Sequence, residues 1–271
     1  MSQSSLQSTR SYGSRKLISL KGAWRVWERN ARVYKHRWMY SLVPNFFEPV
    51  FYLLGLGVGL GAYVSGGGTF ENGYVAYIAP GLVAASAMNG AVFETTYNVF
   101  VKLSFGKIYD AMVTTRVNME DVVIGETLWA VTRSFMYGTI FLVITLFFGV
   151  PLTPWLLLAP FAIVLTGFCF SAIGLAFTSL VKNIDLFTYF FIMFVTPSFL
   201  FSDIFFPVEE RFPGFLVAFA KATPLYHGVQ LLRGIVNGDA AGLAWSALYL
   251  LGVGAALCAF SVWRMRKRVI A

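Results

Sequence analysis

The 271-residue chain is 57% hydrophobic and 17% aromatic, and only 13% of its residues are charged. Soluble domains carry about 25% charged residues, so this composition excludes an ordinary soluble fold and predicts a membrane protein. The formal net charge of +8 indicates orientation in a membrane and contact with anionic lipid headgroups rather than nucleic-acid binding.

The N-terminal segment is strongly basic. Its first forty residues carry nine Lys or Arg and a single acid, Glu28, and they lack an early apolar core with a cleavage site, so we expect no signal peptide. We predict a flexible cytoplasmic tail over 1–22 and an interfacial amphipathic helix over 23–40 that lies in the headgroup plane. A solvated basic tail is the alternative. The aromatic face of the helix comprises Trp24, Trp27, Ala31, Tyr34 and Trp38.

Six apolar segments follow, and a span needs roughly 20 apolar residues to cross a hydrocarbon core. We predict an all-α polytopic membrane protein whose transmembrane domain occupies 41–263, followed by a basic cytoplasmic tail over 264–271. The predicted spans are 43–64, 74–100, 122–150, 155–181, 186–201 and 240–263.

The distribution of Lys and Arg predicts the topology, because positive charge is kept on the cytoplasmic side. With the N-terminus inside, the outer loops hold only Arg211, Lys221 and Arg233, and both termini are cytoplasmic. The cytoplasmic loops and the C-terminal tail then hold Lys102, Lys107, Arg116, Lys182, Arg264, Arg266, Lys267 and Arg268.

A polar segment over 102–121 separates the second and third predicted spans. Its first half predicts a short amphipathic helix with Lys107 and Asp110 opposite an apolar face. Asn118 is the expected N-cap of the third span, with Glu120 and Asp121 in the first turn. The segment either packs against neighbouring span ends or docks a soluble partner. Its apolar face comprises Phe105, Ile108, Tyr109, Met112 and Val113.

The stretch 202–239 is too apolar for a free loop and is interrupted by Pro207, Pro213 and Pro224. Thr223 is the expected N-cap of a helix that begins with Pro224 and ends before Gly238. We predict a re-entrant hairpin of two short helices in the outer leaflet, in which His227 is an interfacial polar anchor. Its apolar stripe comprises Leu225, Val229, Leu232 and Val236.

Four ionisable residues lie in or near the spans, where a charge is costly and indicates a functional site: Glu48, Glu94, Glu126 and Arg133. We predict that Arg133 pairs with Glu94 or Glu48 and lines the inner mouth of a pathway. The alternative is that Glu48 and Glu126 extend to the interface without a transport role.

Glycines in the first span, at alternate positions from Gly55 to Gly61, predict close helix approach, either within the chain or between two copies. The only histidines, His36 and His227, fall on opposite sides of the predicted topology, so no histidine-based metal site or catalytic triad is expected within one copy.

Three segments in this order resemble the ABC-2 family of transporter permeases, and within it the NodJ-like branch that exports lipo-chitooligosaccharide signals. They are FFEPVFYLLGLGVGLG (46–61), GKIYDAMVTTRVN (106–118) and TPLYHGVQLLRGIVNG (223–238). Asp203 departs from the family pattern, because many relatives have a glycine there.

The resemblance implies a permease subunit of an ATP-driven exporter in a bacterial inner membrane. Its expected partners are membrane lipids, two copies of a separate ABC ATPase, and a second copy of itself or a sister permease. The expected cargo is amphipathic, such as a lipo-oligosaccharide, glycolipid, polysaccharide or lipophilic drug. The resemblance assigns contact with the ATPase to Gly106, Lys107, Ile108, Tyr109, Met112 and Val113, and the re-entrant hairpin to Pro207, Pro224, His227 and Arg233.

The chain has no GxxxxGK[ST] phosphate-binding loop. ATP and Mg²⁺ are therefore expected on the partner ATPase, with no cofactor and no enzymatic activity in this chain. An ion-coupled secondary transporter and a membrane-embedded transferase are the competing functions. The first predicts matching broken helices at mid-membrane, and the second predicts clustered acids or histidines.

Overall fold

The computed structural model describes residues 19–36, 38–39, 47, 50–61, 73–115, 117–150, 153–239 and 242–270. Within these ranges the chain is helical and contains no strand. The helices in chain order are α1 (Leu20–Lys35), α2 (Leu53–Leu60), α3 (Tyr74–Phe105), α4 (Ile108–Val113), α5 (Met119–Phe147), α6 (Pro154–Leu180), α7 (Leu186–Phe201), α8 (Val208–Arg211), α9 (Gly214–Ala222), α10 (Pro224–Asn237) and α11 (Leu243–Ile270).

Four helices are long and apolar enough to cross a membrane: α3, α5, α6 and the Leu243–Arg268 part of α11, with lengths of 32, 29, 27 and 26 residues. They correspond to four of the six predicted spans. The fifth predicted span is the shorter apolar helix α7. The first predicted span, 43–64, lies largely outside the described residues, and α2 is the helix within it.

Among the helix boundaries that differ from prediction, those of three helices have a structural explanation or the largest shift. Helix α3 was expected to end at Phe100 but continues to Phe105, because Lys102 is paired inside the protein and does not end the helix. Helix α1 occupies Leu20–Lys35 rather than 23–40, since Ser19 caps it by accepting a hydrogen bond from the Gly22 N–H. Helix α11 continues through the basic tail to Ile270.

The apolar core is built mainly from five helices, α3, α5, α6, α10 and α11, and α2 and α7 add Leu53, Phe190 and Val195 to it. Helices α5 and α6 approach closely, because a Cβ atom on Gly138 would lie only 2.6 Å from Ile163 Cγ2. This small-residue contact is the packing mode of membrane helices, which gain little from apolar burial against lipid. One core residue from each helix, in chain order, is Leu82, Phe141, Phe170, Leu225 and Leu250.

The glycines in and beside α2 differ in whether they pack against α3. A Cβ atom on Gly57 would lie 2.9 Å from Val75 Cγ2 of α3, and one on Gly61 would lie 3.7 Å from Tyr74 Cβ. A Cβ atom on Gly55 would meet nothing within 4 Å among the described residues. Among the described residues, intrachain packing therefore accounts for Gly57 and Gly61, and no neighbour covers Gly55.

The two ends of the helix bundle have different characters. Helix α1, helix α4 and the last turns of α11 lie together at what we call the basic end, where Val26, Tyr109 and Met265 share one apolar cluster. There, Arg268 Nη1 donates to the Thr178 carbonyl at 2.9 Å. Residues 202–239 lie at the opposite end, the hairpin end, where the Tyr74 hydroxyl at the start of α3 donates to the Phe205 carbonyl at 3.2 Å.

The hairpin end contains α9 and α10, preceded by the single turn α8, so three short helices occur where two were predicted. The predicted caps of α10 are confirmed. The Thr223 Oγ1 atom accepts a hydrogen bond from the Tyr226 N–H at 3.4 Å, and Gly238 ends the helix with a left-handed φ of 73°. The predicted apolar stripe of α10 is buried throughout.

Candidate functional site

A buried chain of alternating charges links α3 to α5. Lys102 Nζ lies 2.8 Å from Glu126 Oε2 and 3.5 Å from Glu94 Oε1. Arg133 Nε in turn lies 3.7 Å from Glu94 Oε2. Two acids and two bases thus alternate in the order Glu126, Lys102, Glu94 and Arg133, and their formal charges cancel. We call these four residues the charge network.

Burial explains why the four residues must be paired. The side chain of Glu126 is 1% exposed and that of Lys102, the most accessible of the four, is 16% exposed. Removing a charge from water costs several kcal/mol unless an opposite charge and hydrogen bonds compensate. Opposite charges held at these distances supply that compensation within the helix bundle.

Wide turns in α3 bring its polar residues to one side. The turns over Glu94–Asn98 and Val101–Phe105 are of the π type, which is wider than the 3.6-residue α-helical turn. Residues four and eight positions apart therefore come close to alignment. Asn98 Nδ2 donates to Glu94 Oε2 at 2.9 Å, and Lys102 reaches the same carboxylate from the next turn.

Helix α1 completes the charge network from outside the two spanning helices. Asn30 Nδ2 donates to Glu126 Oε2 at 3.0 Å. The Arg133 guanidinium lies 4.3 Å from the centroid of the Tyr34 ring, within cation–π range. An amphipathic helix predicted to lie against headgroups thus also contributes an amide and an aromatic ring to a buried site.

The aromatic face of α1 is only partly available to lipid. Trp24 is 57% exposed and Trp38, which follows the helix, is 51% exposed. Trp27 instead donates through Nε1 to Thr132 Oγ1 on α5 at 3.0 Å, and Tyr34 packs edge-on against Trp129. The prediction that all of these aromatic residues share a lipid-facing stripe is therefore wrong, because the helix is rotated to place part of the stripe on α5.

The structure places the four predicted intramembrane charges in different environments. Arg133 lies beside Glu94, which is one of its two predicted partners, while Glu48 lies outside the described residues. Glu126 does not extend to the interface, because its carboxylate is buried against Lys102. Sequence reasoning missed Lys102 and Asn30 as members of the site. The spacing of Glu94, Asn98 and Lys102 at intervals of four was the signal that could have identified Lys102.

Helix α4 lies between the two long helices at the basic end. Tyr109 is 1% exposed and packs among apolar residues of α1, α3 and α5, including Val26, Val99 and Met119. Burial, with the nearby Glu126 carboxylate as a further cause, raises the pKa of the Tyr109 phenol well above its ordinary value. Tyr109 therefore anchors α4 from within, and its predicted direct contact with a partner is wrong.

The outward side of α4 has a different composition from the predicted apolar face. Phe105 is 69% exposed, and Lys107, with a left-handed φ of 44°, starts the helix from an exposed turn. Met112 and Val113 are half-buried, since they pack on the same apolar cluster as Tyr109. We call the exposed residues the α4 surface: Phe105, Gly106, Lys107, Asp110 and Ala111.

The predicted N-cap at Asn118 is confirmed. Asn118 and Asp121 form a capping box, in which the Asn118 backbone N–H donates to Asp121 Oδ2 at 3.2 Å. The buried Asp121 carboxylate has a second role, because its Oδ1 accepts a hydrogen bond from the Ser19 backbone N–H at 2.7 Å. One side chain therefore joins the start of α5 to the start of α1.

Asp203 organises the hairpin end. Its φ of 64° lies in the left-handed region, which glycine adopts more readily than other residues. Its Oδ1 accepts hydrogen bonds from the Tyr77 hydroxyl at 3.1 Å and the Val208 N–H at 3.0 Å. Its Oδ2 accepts from Gln230 at 2.8 Å and from Arg233. The carboxylate thus ties α3, α8 and α10 together.

The other hairpin residues named from the sequence have separate positions. Pro207 immediately precedes α8 and Pro224 is the first residue of α10. Arg233 pairs with Asp203, and its guanidinium lies 4.2 Å from the centroid of the Tyr77 ring. These contacts hold the hairpin against the start of α3.

His227 is an internal residue of the hairpin end, not an interfacial one, since only 6% of it is exposed. Burial lowers its pKa below the ordinary value of 6.5, so the ring is neutral at pH 7. Nε2 lies 3.0 Å from the Lys221 carbonyl and must carry the proton, because a carbonyl only accepts. Nδ1 then accepts from the Ser246 hydroxyl at 3.4 Å.

The comparisons with known proteins agree on one family. The sequence profile of the family described as ABC-2 type transporter matches residues 22–237. Nodulation protein J of Sinorhizobium fredii is 33% identical over 238 residues, which cover 88% of this chain and 87% of that protein. The same-named protein of Rhizobium leguminosarum bv. trifolii is 36% identical over 215 residues, covering 79% and 80%.

Nodulation protein J of Bradyrhizobium diazoefficiens is 31% identical over 244 residues, which cover 89% of this chain and 92% of that protein. The family match over residues 22–237 includes every residue of the charge network and of the α4 surface. These comparisons confirm the resemblance indicated by the three sequence segments. With four helices of spanning length, this chain is a multi-pass membrane protein that belongs to the ABC-2 type transporter family.

Proposed function

We propose that the chain is the permease subunit of an ATP-driven exporter that crosses a bacterial inner membrane six times. The basic end faces the cytoplasm in this proposal and the hairpin end faces outward. Exposed cations at the basic end, including Arg25, Lys107 and Lys267, support that orientation through the preference for positive charge inside. ATP and Mg²⁺ bind to a separate ATPase, which this chain contacts through its cytoplasmic loop.

The observation that carries the proposal is the two-sided construction of α4. Its inner side is fixed to α1, α3 and α5 by the buried Tyr109 ring. Its outer side presents Phe105 and Lys107 to solvent. An exposed aromatic residue beside a cation at the end of a rigidly held helix suits a protein partner, since aromatic residues are enriched in interfaces.

The packing beneath α4 also supports a path for motion. Tyr109 contacts the same apolar cluster as Val26 of α1 and Met119 of α5. A partner that displaces α4 must therefore move α1 and α5, because a close-packed cluster transmits displacement rather than absorbing it. Helix α1 then carries that motion to the charge network through Asn30.

The cargo in this proposal is amphipathic, and a lipo-oligosaccharide is the leading candidate. The support is the similarity to proteins named nodulation protein J, together with the NodJ-like sequence segments. The pathway lies between two permease copies, either two of this chain or this chain and a sister. Gly55 of α2, which no described neighbour covers, supports that contact.

Co-purification with the ATPase tests the proposal. We would co-express the permease with an ABC ATPase from the same genome and compare wild type with Ala111→Glu, which places a carboxylate on the exposed α4 surface. Ala244→Glu, the same change at an exposed position at the hairpin end, is the matched control. We expect Ala111→Glu to lose the ATPase while retaining the wild-type elution volume, and Ala244→Glu to keep it.

Two results would contradict the proposal. If no ATPase co-purifies with the wild type, the chain works by another energy source and an ion-coupled mechanism must be considered. If Ala111→Glu and a second change, Lys107→Glu, both bind as well as the control does, the α4 surface is not the docking element.

A further inference from the structure

The hairpin end contains a cavity of about 490 Å³ between α10 and the first turns of α11. Its size falls within the 300–1,000 Å³ range of small-molecule sites. Its floor includes the His227 ring stacked on Tyr249, with ring centroids 3.9 Å apart. The side chains that matter for recognition are Gln230, Arg233, Asn237, Asp239, Trp245 and Tyr249.

The charges around the cavity are already matched. Lys221 Nζ lies 2.9 Å from Glu209 Oε1 outside the cavity lining, and Arg233 pairs with Asp203. The remaining carboxylate in the lining is that of Asp239, which also has an interaction within the protein. Neither a phosphate nor a cationic group therefore meets a surplus of opposite charge, and the lining favours an uncharged polar ligand.

The lining combines flat aromatic faces with planar hydrogen-bonding groups. Trp245 is 68% exposed. Its indole makes no ring contact or hydrogen bond with another described residue, so its face is available to a ligand. Gln230 donates to Asp203 through Nε2, which leaves its Oε1 as an acceptor. Asn237 adds a second amide. A sugar ring matches this combination, because its C–H face packs on an aromatic ring and its hydroxyl edge binds amides and carboxylates.

The surface beside the cavity is apolar. Leu248 and Leu251, in the next turns of α11 after Trp245, are 65% and 47% exposed. Only 17% of the most apolar window of this helix is buried within the protein. In a membrane, these side chains face acyl chains. A ligand with a sugar headgroup and a lipid tail can therefore place the headgroup in the cavity and the tail along α11.

We propose that this cavity binds the uncharged saccharide headgroup of a glycolipid. The proposal rests on the proposed function for its role in transport, since it places the headgroup of the amphipathic cargo at the hairpin end. Trp245 stacks on the sugar ring, and Asn237 and Gln230 bind its hydroxyl groups.

Native mass spectrometry with two matched probes tests the proposal. The purified permease, held in tetraethylene glycol monooctyl ether, is titrated with dodecyl maltoside or with dodecylphosphocholine, which share a twelve-carbon tail and differ in headgroup. We expect one dodecyl maltoside to be retained in preference to dodecylphosphocholine. Trp245→Ala weakens that retention by about 3- to 10-fold, the effect of one lost aromatic contact, and Asn237→Ala weakens it as well.

Trp263→Ala is the matched control, because Trp263 is an exposed tryptophan on the same helix at the basic end. We expect it to retain dodecyl maltoside as the wild type does. Equal or stronger retention of dodecylphosphocholine overturns the proposal, and so does retention of dodecyl maltoside that survives both Trp245→Ala and Asn237→Ala. The ATPase is absent from this experiment, so its result is independent of whether the ATPase docks on the α4 surface.

Discussion

Replacing Lys102 with methionine tests the charge network most directly. The change removes the cation that lies between Glu126 at 2.8 Å and Glu94 at 3.5 Å, and it leaves two buried carboxylates facing each other. Breaking a buried ion pair by removing one partner costs about 3–5 kcal/mol. A chain of this size loses roughly 2–4 °C in Tm for each kcal/mol, so we expect a fall of about 6–20 °C.

The double variant Lys102→Met/Glu126→Gln separates charge from packing. It removes one charge of each sign and leaves Glu94 beside Arg133. We expect it to recover more than half of the Tm lost by Lys102→Met, because interacting residues give strongly non-additive effects. Thermal unfolding can be followed with a thiol-reactive dye, since Cys169 is buried and Cys258 is partly buried in the folded chain.

The sign of the coupling decides the outcome. The single variant Glu126→Gln gives the cost of that change when Lys102 is present. If the same change lowers the stability of Lys102→Met by the same amount, the two effects are additive, and Lys102 and Glu126 do not interact. A Tm for Lys102→Met within 2 °C of wild type would refute the reasoning as well, because an unpaired buried carboxylate would then carry no cost.

Three further predictions concern the hairpin end and the start of α1. Asp203→Ala should destabilise the chain by about 3–5 kcal/mol, because it leaves Arg233 without its carboxylate and puts alanine at a left-handed φ. Asp203→Gly loses the same carboxylate but has no backbone penalty at this φ, so it should unfold at a higher temperature than Asp203→Ala. The reverse order would contradict this account. The pKa of His227 is lower in the folded chain than in the unfolded chain, so the unfolded chain takes up a proton first as pH falls. Below about pH 6.5 the Tm of the wild type should therefore decrease by more than the Tm of His227→Gln does. Parallel pH profiles of the two proteins would rule out His227 as the cause. Asp121→Ala should free the start of α1, and the lost cap should cost about 1 kcal/mol of stability. Amide hydrogen exchange should accelerate in residues 20–24. Unchanged exchange there would show that the hydrogen bond from Ser19 to Asp121 does not hold α1.

The long apolar helices and the caps could be predicted from sequence, because they depend on local signals. Hydropathy over 20 or more residues locates α3, α5, α6 and α11. Thr223 with Pro224, and Asn118 with Asp121, give helix starts that need no tertiary information. The predicted pairing of Arg133 with Glu94 also followed from local reasoning, since both lie in apolar runs and neither can remain alone.

The errors share a physical cause, which is that a sequence pattern identifies an apolar face but not what covers it. The face containing Tyr109 was assigned to a partner, whereas α1, α3 and α5 cover it in the structure. Lys102 was assigned to a loop because hydropathy scores an ion-paired lysine as exposed. Asp203 looked like a departure from the family pattern, and only the structure shows that its carboxylate binds four groups, on Tyr77, Val208, Gln230 and Arg233.

The charge network limits which parts of the chain can move independently. Sliding α3 past α5 by one turn, about 5.4 Å, would separate Lys102 from Glu126 and leave both charges in a medium of low polarity. Helices α1, α3 and α5 are therefore expected to rotate together as one rigid body. Any change of shape during a transport cycle is then expected at the borders of that body, where α7 contains wide π-type turns over Phe191–Val195 and can bend at lower cost.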